Sequence, residues 1–149
     1  MITIRDVDSN NVCDVCELTT NANGVGTTME EWLCCNATSL AESKYFPEMH
    51  PRALYDDETL VGFIMYRRTD EEPETAAICR FMIDHKFQGT GLGREALSCM
   101  LATLKQQGVR TAVIMVDDEN TVAKTLYTSL GFTFTGKIDK GEHYYELAL

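Results

Sequence analysis

The chain is short of positive charge: its 149 residues carry 13 Lys and Arg against 23 Asp and Glu, a formal net charge of -10. A nucleic-acid binder must neutralise phosphates with a basic face, so that class of partner is disfavoured and none is expected. The same imbalance concentrates a small cationic substrate near the surface, and it also serves plain solubility. No apolar run is long enough to span a bilayer, and no signal-peptide pattern is present. No membrane association and a cytoplasmic location are therefore expected. Metal-ligand spacing is missing too. Cys13 and Cys16 form a C-x-x-C, but no second such pair and no histidine pair completes a zinc site. Nor does a thioredoxin-like βαβ pattern surround them. Cys13, Cys16, Cys34, Cys35, Cys79 and Cys99 are read as core thiols, small hydrophobes in effect. There is no internal repeat and no low-complexity segment. What remains is a chain of one-domain length, expected to form a single domain over residues 1–149 and to bury roughly 70% of its unfolded surface.

The most informative stretch runs from Ile78 to Gly93. An apolar run, Ile78-Cys79-Arg80-Phe81-Met82-Ile83, reads as a buried strand. It leads into Gln88-Gly89-Thr90-Gly91-Leu92-Gly93 and then into helical periodicity. Strand, glycine-rich turn and helix in that order build an anion site. Glycine lets the backbone approach a ligand, and the first N–H groups of a helix have no internal partner. A pyrophosphate suits such a site. The spacing is neither that of the dinucleotide fingerprint nor that of a P-loop. It fits Gln/Arg-x-x-Gly-x-Gly/Ala.

Along the chain, the alternation from Met1 to Val7 predicts an edge strand. A helix from Asn10 or Asn11 to about Thr20 follows, then a loop over Asn21–Gly26. Thr28-x-x-Glu31 and Ser39-x-x-Glu42 read as capping boxes starting two further helices, the second stopped at Phe46-Pro47. Strands are expected at 51–56 and 60–67, joined through Asp56-Asp57-Glu58-Thr59, and at 75–84. Leu97, Met100, Leu101 and Leu104 mark a helix from Leu92 to about Gln107 that ends at Gly108. A short buried strand at 111–116 completes a right-handed βαβ unit. Asp118 can cap a helix over 119–130, and a hairpin over Asp139-Lys140-Gly141 closes the chain. The expected fold is α/β: a mixed sheet of antiparallel hairpins around one parallel pair.

At this point the chain resembles the GNAT N-acetyltransferases. Three blocks carry the resemblance: Gly62-Phe63-Ile64-Met65-Tyr66, the 78–93 stretch, and Asn120-x-x-Ala123-x-x-Leu126-Tyr127-x-x-x-Gly131-Phe132. A shorter match, Asn36-x-x-Ser39-Leu40-Ala41-Glu42-Ser43, resembles the bacterial spermine/spermidine (diamine) branch. The resemblance implies about seven strands and four helices, with a splayed parallel pair holding acetyl-CoA. Carried over by position, the backbone of Phe81, Met82 and Ile83 would bind the pantetheine arm, and an N–H near Ile83 would face the thioester oxygen. Gln88, Gly89, Thr90, Gly91, Leu92, Gly93 and Arg94 would cradle the pyrophosphate. Asn120 and Lys124 would touch the pantetheine and nucleotide parts. Tyr127 would protonate the departing thiolate; a phenol with a reference pKa near 10 is matched to a thiol near 8.5. The acceptor implied is a small amine, a polyamine first. Other amines (an antibiotic, an amino acid, a protein N-terminus) and a non-catalytic acyl-CoA-binding role remain as alternatives. A homodimer is an expectation from the family alone.

Something must take a proton from the acceptor ammonium. Glu42 is the first candidate, although its place in a capping box accounts for it equally well. Asp84, Glu30, Glu31 and Glu48 are further carboxylates for the acceptor side. Cys79 stands where the polyamine branch can carry an acid, a departure that leaves the acceptor open. His50, His85 and His143 lack ligand spacing and are assigned to surface or hydrogen-bonding roles.

Overall fold

The computed structural model describes residues 1–149. One seven-stranded sheet runs in the order β1-β2-β3-β4-β5-β7-β6. Its strands are β1 (Ile2–Asp6), β2 (Met49–Asp56), β3 (Thr59–Arg67), β4 (Thr75–Ile83), β5 (Thr111–Asp117), β6 (Thr133–Asp139) and β7 (Glu142–Ala148). The helices are α1 (Val12–Glu17), α2 (Asn36–Tyr45), α3 (Leu92–Gln106) and α4 (Thr121–Ser129), with a 3-10 turn at His85–Phe87. All neighbours are antiparallel except β4 and β5. This is the mixed sheet expected from the pattern, with one refinement: β7 inserts between β5 and β6.

Strand alternation sorts the core onto two faces. Ala53, Phe63, Met65 and Met82 meet Val15 of α1 on one face. On the other, Leu54, Ile64, Tyr66 and Ile78 pack with Ala96, Leu97, Met100 and Leu104 of α3. The apolar stripe read from the sequence is therefore the buried face of α3. Two bulges interrupt the alternation. Val61 is skipped in the pairing of β2 with β3, and Cys79 in the pairing of β3 with β4. A bulge bends its strand and increases its twist. The Cys79 bulge falls immediately after Ile78, and Ile78 opposite Ile114 is the last pair that β4 makes with β5. From there the two strands diverge.

Several local expectations are corrected. Thr28–Glu31 starts no helix. The segment is a tight loop closed by a bridge between Met29 and Cys34, with the Glu30 N–H donating to the Leu33 carbonyl at 2.9 Å. The Thr28 carbonyl accepts from the Cys35 N–H at 2.9 Å, which turns the chain back on itself and leaves Glu31, the acid of the expected box, exposed. Ser39 caps nothing: α2 begins at Asn36 with Cys35 as its N-cap, and Ser39 is a buried interior residue. The Asn36 side chain fixes that start by donating to the Val15 carbonyl at 2.9 Å. Helix α1 stops at Glu17 because Thr19 is drawn to Asp84. The cap of α4 is Asn120, not Asp118. Strand β2 begins at Met49, ahead of Pro51; the ring is tolerated because β1 pairing ends at Arg52.

Gly62 is where β3 lets β4 come close. A Cβ there would stand 2.4 Å from the Met82 carbonyl oxygen and 2.9 Å from Ile83 Cδ1. Gly62→Ala should therefore push β4 outward at the segment that borders the opening, costing about 1–3 kcal/mol of stability as an overpacking change. Urea denaturation checks this. Unchanged stability would mean that β4 yields freely at Met82.

Candidate functional site

The opening between β4 and β5 is the site. Beyond Ile78 and Ile114 neither strand offers a partner to the other, so backbone polar groups of β4 on that edge remain available. Two cavities occupy the region. The smaller, ≈ 290 Å³, lies between Ile78–Phe81 and Ile114–Asp117. The larger, ≈ 1100 Å³, runs along Phe81–Ile83 to Phe87, Gln88, Gly89 and Gly93, with α4 as its other wall. Trp32, Leu33, Phe81, Asn120 and Tyr127 border both.

At the far end of the larger cavity lies the glycine turn. Gly89 and Gly91 have φ of 75° and 89°, the left-handed region that glycine enters without strain. Gly91 is the N-cap of α3 and supplies no side-chain cap. The N–H groups from Gly89 to Gly93 find no acceptor within the chain; the first helical donors satisfied are those of Arg94 and Glu95, both to the Gly91 carbonyl. A row of free donors at a helix N-terminus is the arrangement that binds a phosphate group. Gly93 packs beneath the turn, its missing Cβ 3.7 Å from Ile83 Cγ1 and 4.0 Å from Leu126 Cδ2. The Gln88 amide donates to the Ile83 carbonyl at 3.0 Å, holding the turn to the end of β4. Thr90 Oγ1 donates to the Phe87 carbonyl at 2.6 Å. Free donors, open space above Gly89 and Gly91, and a continuous cavity towards Tyr127 fit a pyrophosphate with a long, mostly apolar arm.

The remaining residues singled out in the sequence divide clearly. Phe81, Met82, Ile83, Gln88, Gly89, Gly93, Asn120 and Tyr127 all line the larger cavity. Asn120 does so while capping α4, its side chain accepting from the Ala123 N–H at 3.2 Å. Thr90, Gly91 and Leu92 form the turn itself. The Arg94 guanidinium crosses to Ser129 at the end of α4. Lys124 pairs with Asp118 and borders neither cavity.

Among the carboxylates, Glu42 holds the Arg80 guanidinium at 3.3 Å and borders neither cavity, whereas Arg80 lines the smaller one. Arg80 also donates to Cys34 Sγ at 3.2 Å and to the Cys79 carbonyl at 2.9 Å. Glu30 and Asp84 are buried and bonded to their own chain. Glu48 pairs with Arg67 at 3.7 Å. Glu31 does line the larger cavity. Sequence reasoning missed Asp117 and Glu142, which line the smaller cavity. They stand opposite each other in the β5–β7 ladder, where like charges repel. Neither belongs to a motif; the order of strands alone brings them together. Among the histidines, His50 stacks on Tyr66 and His143 on Phe134.

Tyr127 is 7% exposed, and burial alone pushes its phenol up to about 12. At neutral pH it is therefore a proton or hydrogen-bond donor on the wall shared by both cavities.

Comparisons with known proteins bear on the family and the fold. A model of the acetyltransferase (GNAT) family matches residues 20–132. The chain is 28% identical over 144 residues to the spermine/spermidine N(1)-acetyltransferase of Bacillus subtilis (strain 168), covering 93% of this chain and 91% of that one. Its fold superposes on an acetyltransferase from Thermus thermophilus with a TM-score of 0.76 at 22% identity, over 100% of this chain and 97% of that chain. It also superposes on the PaiA N-acetyltransferase from Thermoplasma acidophilum, solved in complex with coenzyme A, with a TM-score of 0.70 at 16% identity, over 100% and 99% of the two chains.

The raised phenol has a measurable consequence. A folded state that resists losing this proton keeps its stability below pH 10, the ordinary value, and loses it as pH climbs towards 12. The loss attributable to Tyr127 amounts to about 2–3 kcal/mol. Tyr127→Phe should remove the most alkaline step from a tyrosinate absorbance titration and flatten the alkaline fall in stability. A titration in which the variant lacks an ordinary step near pH 10 instead would show the phenol to be solvated.

Proposed function

The chain belongs to the acetyltransferase (GNAT) family and is an acetyl-CoA-dependent N-acetyltransferase; we propose that its acceptor is a primary amine of a small polycation, a polyamine or diamine. The observation that carries this reading is the facing pair Asp117 and Glu142 on the wall of the cavity that also holds Tyr127. Two opposed carboxylates cost stability unless a cation sits near them. The pair suits the ammonium groups of an extended polycation, and Trp32 offers an aromatic face to the same charge. The whole-length similarity to a spermine/spermidine acetyltransferase supports the same class of acceptor. The protein is read as one acetyltransferase domain working in the cytoplasm, with a homodimer as its assembly.

The roles of the chain's own groups follow. Acetyl-CoA supplies a thioester whose C–S bond breaks as the amine nitrogen bonds to the acetyl carbon; two protons leave the acceptor ammonium in all, one before attack and one as the amide forms, and one arrives at sulfur while the other passes to solvent. The 89–93 N–H row and the free edge of Phe81–Ile83 hold that donor in the larger cavity. Asp117 or Glu142 receives the acceptor ammonium and takes its proton, directly or through water. Tyr127 faces the sulfur. With its phenol near 12 and a thiol near 8.5, complete transfer from Tyr127 is uphill in the free enzyme. Its part is to donate a hydrogen bond as charge builds on sulfur, with the proton following once charge has developed. Glu42 contributes indirectly by holding Arg80 in the cavity wall.

Steady-state assays with acetyl-CoA, a thiol-release readout and a panel of amines test this. Spermidine, spermine and diamines should be turned over in preference to amino acids, aminoglycosides and peptide N-termini. Glu142→Gln and Asp117→Asn should each raise the KM for the amine about tenfold, the loss of one charge-assisted contact. Tyr127→Phe should lower kcat about 10–100-fold and leave coenzyme A affinity nearly intact. Peptides accepted where spermidine fails would end the polyamine reading.

A further inference from the structure

The 19–34 loop forms one wall of both cavities, through Trp32 and Leu33 in each and Met29 in the smaller. Apolar burial holds only its end: Cys34 is buried and Leu33 packs against the core, whereas Met29 is 67% exposed and Trp32 41%. Its regular structure is a single bridge. The firm attachments are polar and buried. Glu30 accepts from the Thr19 hydroxyl, from the Thr20 N–H at 3.0 Å and from the Thr20 hydroxyl at 2.9 Å. Asp84, only 3% exposed, accepts from the Thr19 N–H at 3.1 Å and from the Lys86 N–H at 3.0 Å. The His85 N–H donates to the Thr19 carbonyl at 2.8 Å. The His85 ring lies beside Gly24, where a Cβ would come within 3.2 Å. Neither acid borders a cavity, and their oxygens are engaged by the chain itself. These two carboxylates are thus unsuited to meeting substrate. Charge-assisted bonds of this kind are the strong ones, and a buried carboxylate that loses them is costly.

We propose that Glu30 and Asp84 are positioning residues that clamp the 19–34 loop onto the end of β4, so that the acceptor-side wall and the stretch leading into the glycine turn move as one body. The clamp acts through Thr19, which is bonded to both acids. Asp84 also caps the 3-10 turn that runs directly into Gln88, so one carboxylate serves both walls. The assignment rests on the smaller cavity being the acceptor's, but the clamp itself can be read without any turnover.

Trp32 is the chain's only tryptophan and sits in the clamped loop, so its fluorescence reports the wall. In Glu30→Gln, acrylamide quenching of Trp32 should rise about twofold, and the KM values for the amine and for acetyl-CoA should both rise about fivefold to tenfold, because the loop walls both cavities. Asp84→Asn should raise both KM values. Thr19→Val should reproduce the Glu30→Gln pattern, and Thr19→Ser should restore the parent values because it keeps the hydroxyl. If Glu30→Gln does not fold, the Thr19 pair decides alone. Folded variants with unchanged quenching and unchanged amine KM overturn the clamp. If quenching rises as expected while no polyamine is a substrate of the parent, the clamp stands and the acceptor assignment falls.

Discussion

Everything at the site depends on a strand pair that stops pairing halfway. Strands β4 and β5 form parallel ladder bonds only from Thr75–Ile78 to Thr111–Ile114. A buried backbone edge left bare is normally expensive, because each unpaired polar group loses water and gains nothing. Here the bare edge faces a cavity, so its polar groups stay accessible. The bulge at Cys79 is the local cause of the divergence, since it turns β4 away where the last β5 pair is made.

That parting is stable only because the other side of β4 is held closely. Gly62 admits the Met82 carbonyl to a distance no side chain would permit. The Gln88 amide then binds the final carbonyl of the strand and sets the glycine turn against it. The turn presents its N–H groups as a consequence of positive φ at Gly89 and Gly91. A cap side chain at Gly91 would compete for the donors that the site needs, and none is present. Donor grip, cavity and buried Tyr127 thus follow from one strand's departure and one helix's uncapped start.

The acidic residues show how one side-chain type serves different ends in one small domain. Glu30 and Asp84 are buried with donors from their own chain and act on its shape. Glu42 neutralises Arg80 at the cavity wall. Asp117 and Glu142 face each other in exposed positions, Asp117 also accepting from the Glu119 N–H at 2.9 Å. The net charge of -10 does not distinguish these fates. Burial and partner do.

Local pattern alone determined much of this protein. Alternation placed β1, apolar runs placed β4 and β5, turn residues placed the hairpins of β2–β3 and β6–β7, and helical spacing placed α3, because each buried face or tight turn restricts the residues that fit it. The glycine turn was legible because positive φ leaves so few residue choices, and Tyr127 because a motif at fixed distance accompanies it. Tertiary structure decided the rest. Thr28–Glu31 and Ser39–Glu42 have the composition of helix starts, but the first is folded into a loop closed by the Met29–Cys34 bridge and Ser39 lies inside α2. The meeting of Asp117 with Glu142 arises from β7 entering between β5 and β6. No local signal encodes that insertion, since strand order is set by how non-local faces cover one another, and neighbours along the chain carry no record of it.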